Sequence, residues 1–507
     1  MFNLKSKEKS NPVSVDEGKS LEAHFAPFRE KIIGIDTEFE GPYGKRKIIY
    51  ADWIASGRLY GPIEEKLKDM IGPYVANTHT ETSYTGALMT QAYAESKQII
   101  KQHVGASEED VLIPTGTGMT GAIAKLQRMM GLKLPEQFSS MWMPAPEDRP
   151  VVFVSHMEHH SNQTNWLETL AEVQVIKADE NGEMDLNHFA DLLEEYKDRK
   201  IKIASVTSCS NVTGVFTPYH KVAKMVHRAG GLCFIDFACS GPYVDINMHP
   251  EDPEESLDAI FFSPHKFLGG PGTPGILIFN KKLYSNKIPD TPGGGTVSWT
   301  NPWGGHKYIS DIEAREDGGT PGFLQTIKAA MAVKLKEEMN TEKMLEREHE
   351  LVSMVLDRME KIPGMHVLAG NLQERLGAIS FFHNDIHFNL FVRLLNDRFG
   401  IQTRGGCSCA GTYGHYLLNI DSYMSDEIIK EVSAGDLSRK PGWVRLSLHP
   451  TMTNEEVKFI CGSLEEIVQN KEAYCADYRL MAKGDDFEHK SFQSSDKEII
   501  GNWFNLG

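Results

Sequence analysis

The sequence predicts an α/β protein, with a mostly parallel sheet covered by helices on both faces and a smaller α+β unit after it. Two observations carry the larger part. Seven short apolar runs recur between Val111 and Phe279, most of them separated by stretches of helical period; such continuous runs suit strands buried on both faces. Glycine and polar residues gather at the ends of those runs, where an open α/β sheet binds its ligand. A third observation marks the smaller unit. Beyond a charged helical stretch, roughly Leu324 to Lys361, the regular alternation of strand and helix stops.

In chain order, the first 45 residues are polar and read as a loosely ordered arm. From Ile48, IIYADWIASGRLYGPIEEKL reads as an extended segment and a helix, and Tyr84 to Val104 carries apolar residues at helical spacing. VLIP (from Val111) precedes a glycine turn and a helix around Ala122 to Met130. VVFVS (from Val151) precedes a polar helix to Leu170, and VQVI (from Val173) precedes one from Asp185 to Tyr196. IKIASVT (from Ile201) leads to a helix over Pro218 to Ala229, and LCFIDFA (from Leu232) leads on to Ala259–Phe262 and, past a Gly/Pro turn, Ile276–Phe279. The smaller unit reads as GAISFF, a helix from Phe388 to Phe399, IQTR, WVRLSL and a helix from Asn454 to Val468. These readings divide the chain into an arm (1–45), a large domain (46–325), a small domain (326–475) and a polar tail (476–507).

Size and charge narrow the function. A chain of 507 residues is long for one core. Its net charge of −17 argues against nucleic-acid or anionic-membrane partners. No apolar run is long enough to span a bilayer, and the N-terminus lacks the apolar core of a secretory signal. The seven cysteines are odd in number and irregularly spaced, which suits free thiols in a reducing compartment. A cytoplasmic protein is expected.

The chemistry gathers at the strand ends. Lys266 ends Ser263-Pro264-His265-Lys266 at the lip of a buried run, where desolvation would lower its pKa and free its amine to condense with a carbonyl. The turn Thr115-Gly116-Thr117-Gly118-Met119-Thr120-Gly121 opens a helix and can cradle a phosphate. It spells GxGxxG, yet the region that should supply a second strand and a ribose-binding acid is proline-rich, so a dinucleotide is rejected. His156, His159 and His160 lack HExxH spacing and an evident fourth ligand, so no metal is expected, and Glu158 and His160 are read as orienting the turn. Asn211 and Asp236 stand at two further strand ends.

In this order, Ala51-Asp52 to Ser56, Asn77-Thr78-His79, the Thr115 turn, Glu158-His159-His160, Ser210-Asn211-Val212-Thr213-Gly214, Asp236, the Lys266 turn, Gly293-Gly294-Gly295, Gly318-Gly319-Thr320-Pro321, the Arg404 to Cys409 loop and Arg445-Leu446-Ser447 resemble the PLP-dependent class V aminotransferase superfamily. Within it the chain resembles the cysteine desulfurase and selenocysteine lyase family, from about Ile48 to Glu465. The resemblance implies the PLP-dependent transferase fold (fold type I) with a seven-stranded sheet, pyridoxal 5′-phosphate, a small amino-acid substrate, a homodimer and a protein that accepts sulfur. Lys266 would carry the cofactor and act as general base at the substrate α-carbon, with Asp236 on the pyridinium nitrogen, His159 stacked on the ring and Asn211 donating to the ring hydroxyl. Thr117, the Gly118 backbone, Ser263 and His265 would hold the phosphate, with Thr320 reaching it from the neighbouring copy. Arg445 would clamp the substrate carboxylate, with Arg404 and His79 nearby.

Counted from Arg404, Cys409 falls where desulfurases keep their nucleophile, on a glycine-rich loop suited to a thiolate that must reach the substrate sulfur. Cys407 is read as packing or, alternatively, as a resolving thiol. Several positions depart from the family pattern. Cys407-Ser408 stands for His-His, Cys239 for a glutamine, Gly118 for a threonine, Met119 for a glutamate and Trp53 for an asparagine. Insertions at 132–150 and 417–441 flank the site. The reading is therefore a cysteine desulfurase making L-alanine from L-cysteine, against another class V reaction (selenocysteine lyase, C–S lyase, epimerase or aminotransferase) or a non-catalytic scaffold.

Overall fold

The computed structural model describes residues 20–437, 440–481 and 484–506, the side chains of residues 139 and 140 excepted. Its centre is a seven-stranded sheet: β1 (Asp110–Thr115), β2 (Val151–Ser155), β3 (Glu172–Ile176), β4 (Lys202–Thr207), β5 (Leu232–Asp236), β6 (Ala259–Phe262) and β7 (Gly275–Asn280). The order across the sheet is β1-β7-β6-β5-β4-β2-β3. Every pairing is parallel except those of β7, which runs antiparallel between β1 and β6.

Alternation along each strand divides the side chains between two helix-covered faces. Val151, Phe153, Ile260 and Phe262 belong to one core, and Val152, Val154, Ala259 and Phe261 to the other. Each large apolar side chain buried this way contributes roughly 1.5–3 kcal/mol. The helices α1 (Gly118–Met129) and α2 (His160–Leu167) each start just beyond a strand's carboxyl end, so their N-termini face the same edge of the sheet.

The smaller unit is an antiparallel sheet of β8 (Met365–Val367), β9 (Ala378–His383), β10 (Arg404–Gly406) and β11 (Trp443–Ser447), ordered β8-β9-β11-β10. Two helices precede it, α3 (Phe323–Met339) and α4 (Thr341–Met359), where the sequence suggested one long stretch. The break is Asn340, at φ +68°, whose side chain accepts from Lys343 N and caps α4.

Residues 1–19 of the expected loose arm lie outside the described residues, and from Ser20 to Lys45 the chain is built into the fold. From Ser20 the chain forms a helix (Leu21–Arg29) that buries Phe25, followed by a hairpin of Glu38–Gly41 with Gly44–Lys47. Residues 49–50 then pair in parallel with 401–402, and Ser447 N donates to Ala51 O, which stitches the early chain onto the late sheet. The insertion at 132–150 holds a short helix (Glu136–Trp142), and that at 417–441 holds Ser422–Ser433. Among the described residues no helix is long and apolar enough to cross a membrane.

Candidate active site

A cavity of about 200 Å³ opens at the carboxyl edge of the large sheet. Strand β6 is buried throughout and ends in a tight turn, in which Lys266 N donates to Ser263 O at 3.0 Å. The turn is closely packed. A Cβ on Gly270 would stand 1.8 Å from Pro264 O, and one on Gly57 2.0 Å from Phe267 O. The Lys266 side chain lines the cavity, and burial lowers its pKa, opposed by the negative charges of Cys239 and Asp236. Asp236, at the end of β5, is buried, which raises its pKa to about 6; Ala238 N donates to its Oδ1 at 2.8 Å and Lys266 favours its charged form.

One wall of the cavity is the start of α1. Gly118 takes φ +62°, and Met119 N donates to Ser263 Oγ at 2.8 Å, so the β6 turn and the helix start are locked together. Gly275 on β7 permits this approach, since a Cβ there would lie 2.0 Å from Gly118 O. Thr117 and His265 also face the cavity. Burial lowers the His265 pKa to about 4, and its carbonyl accepts from Gly57 N at 2.9 Å. Backbone N–H groups at a helix start, flanked by neutral donors, form an anion cradle.

The opposite wall holds His159. Its Nδ1 accepts from Ser161 N at 3.1 Å, which leaves the ring proton on Nε2. Burial, and then the Lys266 charge, lower its pKa to about 3, so it is neutral at physiological pH. The other two histidines of the trio point elsewhere. His156 is buried against Gly182 O, and the His160 ring Nε2 accepts from Gly411 N at 2.9 Å while the His160 backbone N–H donates to Cys409 O. Glu158 accepts from Ser155, Asn162 and Thr207, holding the turn in place. Asn211 Nδ2 donates to Ser408 O at 2.7 Å, while its buried Oδ1 has no partner among the described residues.

At the mouth, β10 and β11 place Arg404 opposite Arg445. Asp52 meets both. Arg445 Nη2 donates to Asp52 Oδ1 at 2.7 Å, and Arg404 Nε lies 3.4 Å from Asp52 Oδ2. Arg445 is 2 % exposed, and its Nε has no partner among the described residues.

Thr117, Gly118, His159, Asn211, Asp236, Ser263, His265, Lys266, Arg404 and Arg445 thus converge on one cavity. Three expected residues stand outside it. Cys409 is exposed; it and Ser408 both take left-handed φ (+56° and +52°), and it is Ser408 that faces the cavity. Cys407 packs beside Met157, Val212 and Trp443. His79 and Thr320 are both exposed and lie near each other, His79 Nε2 being 3.2 Å from Gly319 O.

Sequence reasoning gave no role to Asp52, Cys209, Ser408 or Glu348. Asp52 was visible only as part of a motif, and its arginine partner is 393 residues away. Cys209 lies two residues before Asn211 and lines the cavity with Cys239. Glu348 on α4 is buried behind them; Gly377 N donates to its Oε2 at 3.1 Å, and its Oε1 has no partner among the described residues. Burial raises its pKa to about 8, and the Cys239 charge adds to the effect.

Known proteins resemble this chain in sequence and in fold. A family model described as Aminotransferase class-V matches residues 49–460. A probable cysteine desulfurase of Halalkalibacterium halodurans is 26% identical over 385 residues, 74% of this chain and 86% of that protein. A cysteine desulfurase of Haloferax volcanii is 25% identical over 417 residues, 79% of this chain and 89% of the relative. Among solved structures, the apo cysteine desulfurase of Thermococcus onnurineus superposes with a TM-score of 0.67 at 22% identity, covering 83% of this chain and 95% of that one. A cysteine desulfurase of Escherichia coli gives 0.66 at 20% identity, covering 88% and 98%. The fold is the expected PLP-dependent transferase fold, fold type I, and the chain belongs to the aminotransferase class-V family of enzymes.

Proposed function

We propose that the protein is a pyridoxal 5′-phosphate-dependent cysteine desulfurase, converting L-cysteine to L-alanine and passing the sulfur to Cys409 as a persulfide. The observation that carries this reading is a desolvated lysine, a buried carboxylate, a helix-start anion cradle and an arginine clamp sharing one cavity. The residues fit the cofactor. Thr117, the Gly118 backbone, Ser263 and His265 suit its phosphate, Asp236 its ring nitrogen, and the orphaned Asn211 Oδ1, an acceptor where a donor was expected, a ring hydroxyl. Bound there, the cofactor supplies a ring that withdraws electrons from the substrate α-carbon.

The chain's own residues supply the rest. Lys266 would hold the cofactor covalently and, made less basic by burial, take the proton from the substrate α-carbon. Neutral His159 presents Nε2–H to the same space. Arg445 binds the substrate carboxylate in place of Asp52, with Arg404 beside it. Cys409 sits on a strained loop, each left-handed residue costing about 1–2 kcal/mol, so little is lost in turning its thiol toward the substrate. Thr320 is exposed, away from its own chain's cavity, which supports a homodimer in which it completes the partner's phosphate site. The exposure of Cys409 also suits transfer of sulfur to an acceptor protein.

A second reading, elimination or another class V reaction needing no thiol, is favoured by one observation, that Ser408 and not Cys409 faces the cavity. Incubation with L-cysteine separates the two. The desulfurase forms alanine and adds about 32 Da to Cys409, and Cys409→Ser abolishes sulfide release. Undiminished sulfide from that variant, with pyruvate in place of alanine, would establish the elimination.

A further inference from the structure

Two thiols in the cavity have no part in the reaction just described. Cys209 and Cys239 follow β4 and β5, neighbouring parallel strands whose last residues, Thr207 and Asp236, are in register. The cysteines come two and three residues later, so the strand pairing itself brings them together. Both sulfurs reach the same acceptor, Ser210 O, at 3.7 Å from Cys209 and 3.5 Å from Cys239. Cys209 Sγ also lies 3.1 Å from Gly214 O. Both residues are almost fully buried from bulk solvent, yet both line the cavity that holds Lys266.

The surroundings make the two thiols unequal. The neighbouring Cys209 thiol lowers the Cys239 pKa most, and the cationic groups of Lys266 and Arg445 lower it further, against the opposing effect of burial. Cys209, fully buried and beside that negative sulfur, has its pKa raised. One sulfur is thus the better nucleophile and the other keeps its proton, the pairing expected of an attacking and a resolving thiol.

We propose that Cys209 and Cys239 form an oxidation site within the active-site cavity, which a hydroperoxide converts to a reversible disulfide. The Cys239 sulfur attacks one oxygen of hydrogen peroxide and the O–O bond breaks. Hydroxide leaves and becomes water with the proton that Cys239 has lost, and Cys239 becomes a sulfenic acid. Cys209 then attacks that sulfur. The S–O bond breaks, and a second water departs carrying the Cys209 proton. Two thiols lose two electrons in all, and both peroxide oxygens end as water. The sulfurs must close to about 2.05 Å, and they sit on the two loops beyond β4 and β5. The bond would join the loop bearing Asn211 to that following Asp236, and would remove the thiol beside Lys266.

The test is made on the full chain carrying Cys407→Ser and Cys409→Ser, so that the exposed loop cannot react. After hydrogen peroxide the protein should be lighter by about 2 Da than the untreated chain, and on alkylation after unfolding it should take up two fewer alkyl groups. Peptide mapping should join the Cys209 and Cys239 peptides, and dithiothreitol should separate them. Cys209→Ala should abolish the cross-link and instead leave Cys239 reactive toward dimedone, a trap for sulfenic acids; Cys209→Ser serves if the alanine variant folds poorly. Recovery of both thiols in the alkylated state at peroxide levels that oxidise exposed Cys409 in the unsubstituted chain would overturn the proposal. So would a cross-link that survives Cys209→Ala. Because the readout is mass and not turnover, either result leaves the desulfurase reading standing on its own test.

Discussion

Replacing Glu348 with glutamine should change how stability depends on pH, by an amount that follows from its burial. Its carboxyl pKa rises from an ordinary 4.5 to about 8 in the folded protein. Between those values the folded chain holds a proton that the unfolded chain has released. Stability therefore falls as pH rises, by about 1.36 kcal/mol per pH unit, until the folded group also ionises. From pH 6 to pH 9 the wild-type penalty grows by about 2–3 kcal/mol. A glutamine keeps the acceptor for Gly377 N, resembles the protonated acid in shape and does not titrate. At roughly 2.1 cal/mol/K of unfolding entropy per residue, that penalty is worth about 2–3 °C in a chain of this length. Scanning calorimetry of both proteins at pH 6 and pH 9, at one ionic strength, reads the effect as a Tm difference that widens in favour of Glu348→Gln. A difference independent of pH would refute the reasoning, because it would mean that Glu348 ionises normally within the fold.

Lys266→Ala should lose the adduct that borohydride fixes between protein and cofactor; an adduct persisting in the variant would move the attachment elsewhere. Asp52→Ala removes a carboxylate that Arg445 and Arg404 share, and stranding the buried Arg445 should cost about 3 kcal/mol in urea unfolding. An unchanged midpoint would show that solvent already satisfies that guanidinium. Gly275→Ala drives a methyl group into Gly118 O and should lower both Tm and affinity for the phosphate of the cofactor, by on the order of 2 kcal/mol in stability. Ultracentrifugation should find dimers, and fully active monomers would remove Thr320 from the phosphate site.

The sheet was legible because its information is local. Each of the seven runs, from Val111 to Phe279, is a short apolar stretch bounded by turn residues, and each became a strand. The strand-end residues were legible for a related reason: a parallel sheet collects its carboxyl ends along one edge, so Thr117, Asn211, Asp236 and Lys266 had to meet. What stayed hidden depended on long-range pairing or on side-chain direction. Asp52 carries no local mark of an arginine that enters 393 residues later. The choice between Ser408 and Cys409 as the residue facing the cavity rests on two left-handed backbone angles that non-glycine residues rarely signal. Asn340 likewise breaks a helical pattern that its neighbours would have continued. The polar composition of the first 45 residues concealed Phe25, which the Leu21–Arg29 helix packs into the core.

The stitching of residues 49–52 onto the late sheet has a consequence for the order in which a ribosome can finish this molecule. At about 5–20 residues per second, the 393 residues between Asp52 and Arg445 take about 20–80 seconds to make. All seven strands of the large sheet have emerged by Asn280, so the nascent chain can assemble the cofactor end of its cavity while the carboxylate end does not yet exist. For most of that interval, until residues 401–402 are made, Ile49 and Tyr50 wait as an unpaired strand segment, with Trp53 and Ile54 lacking their final packing partners. That exposed edge is the part of the newborn chain a chaperone would need to shield, and the enzyme is complete only when its nearly last strand closes over its nearly first.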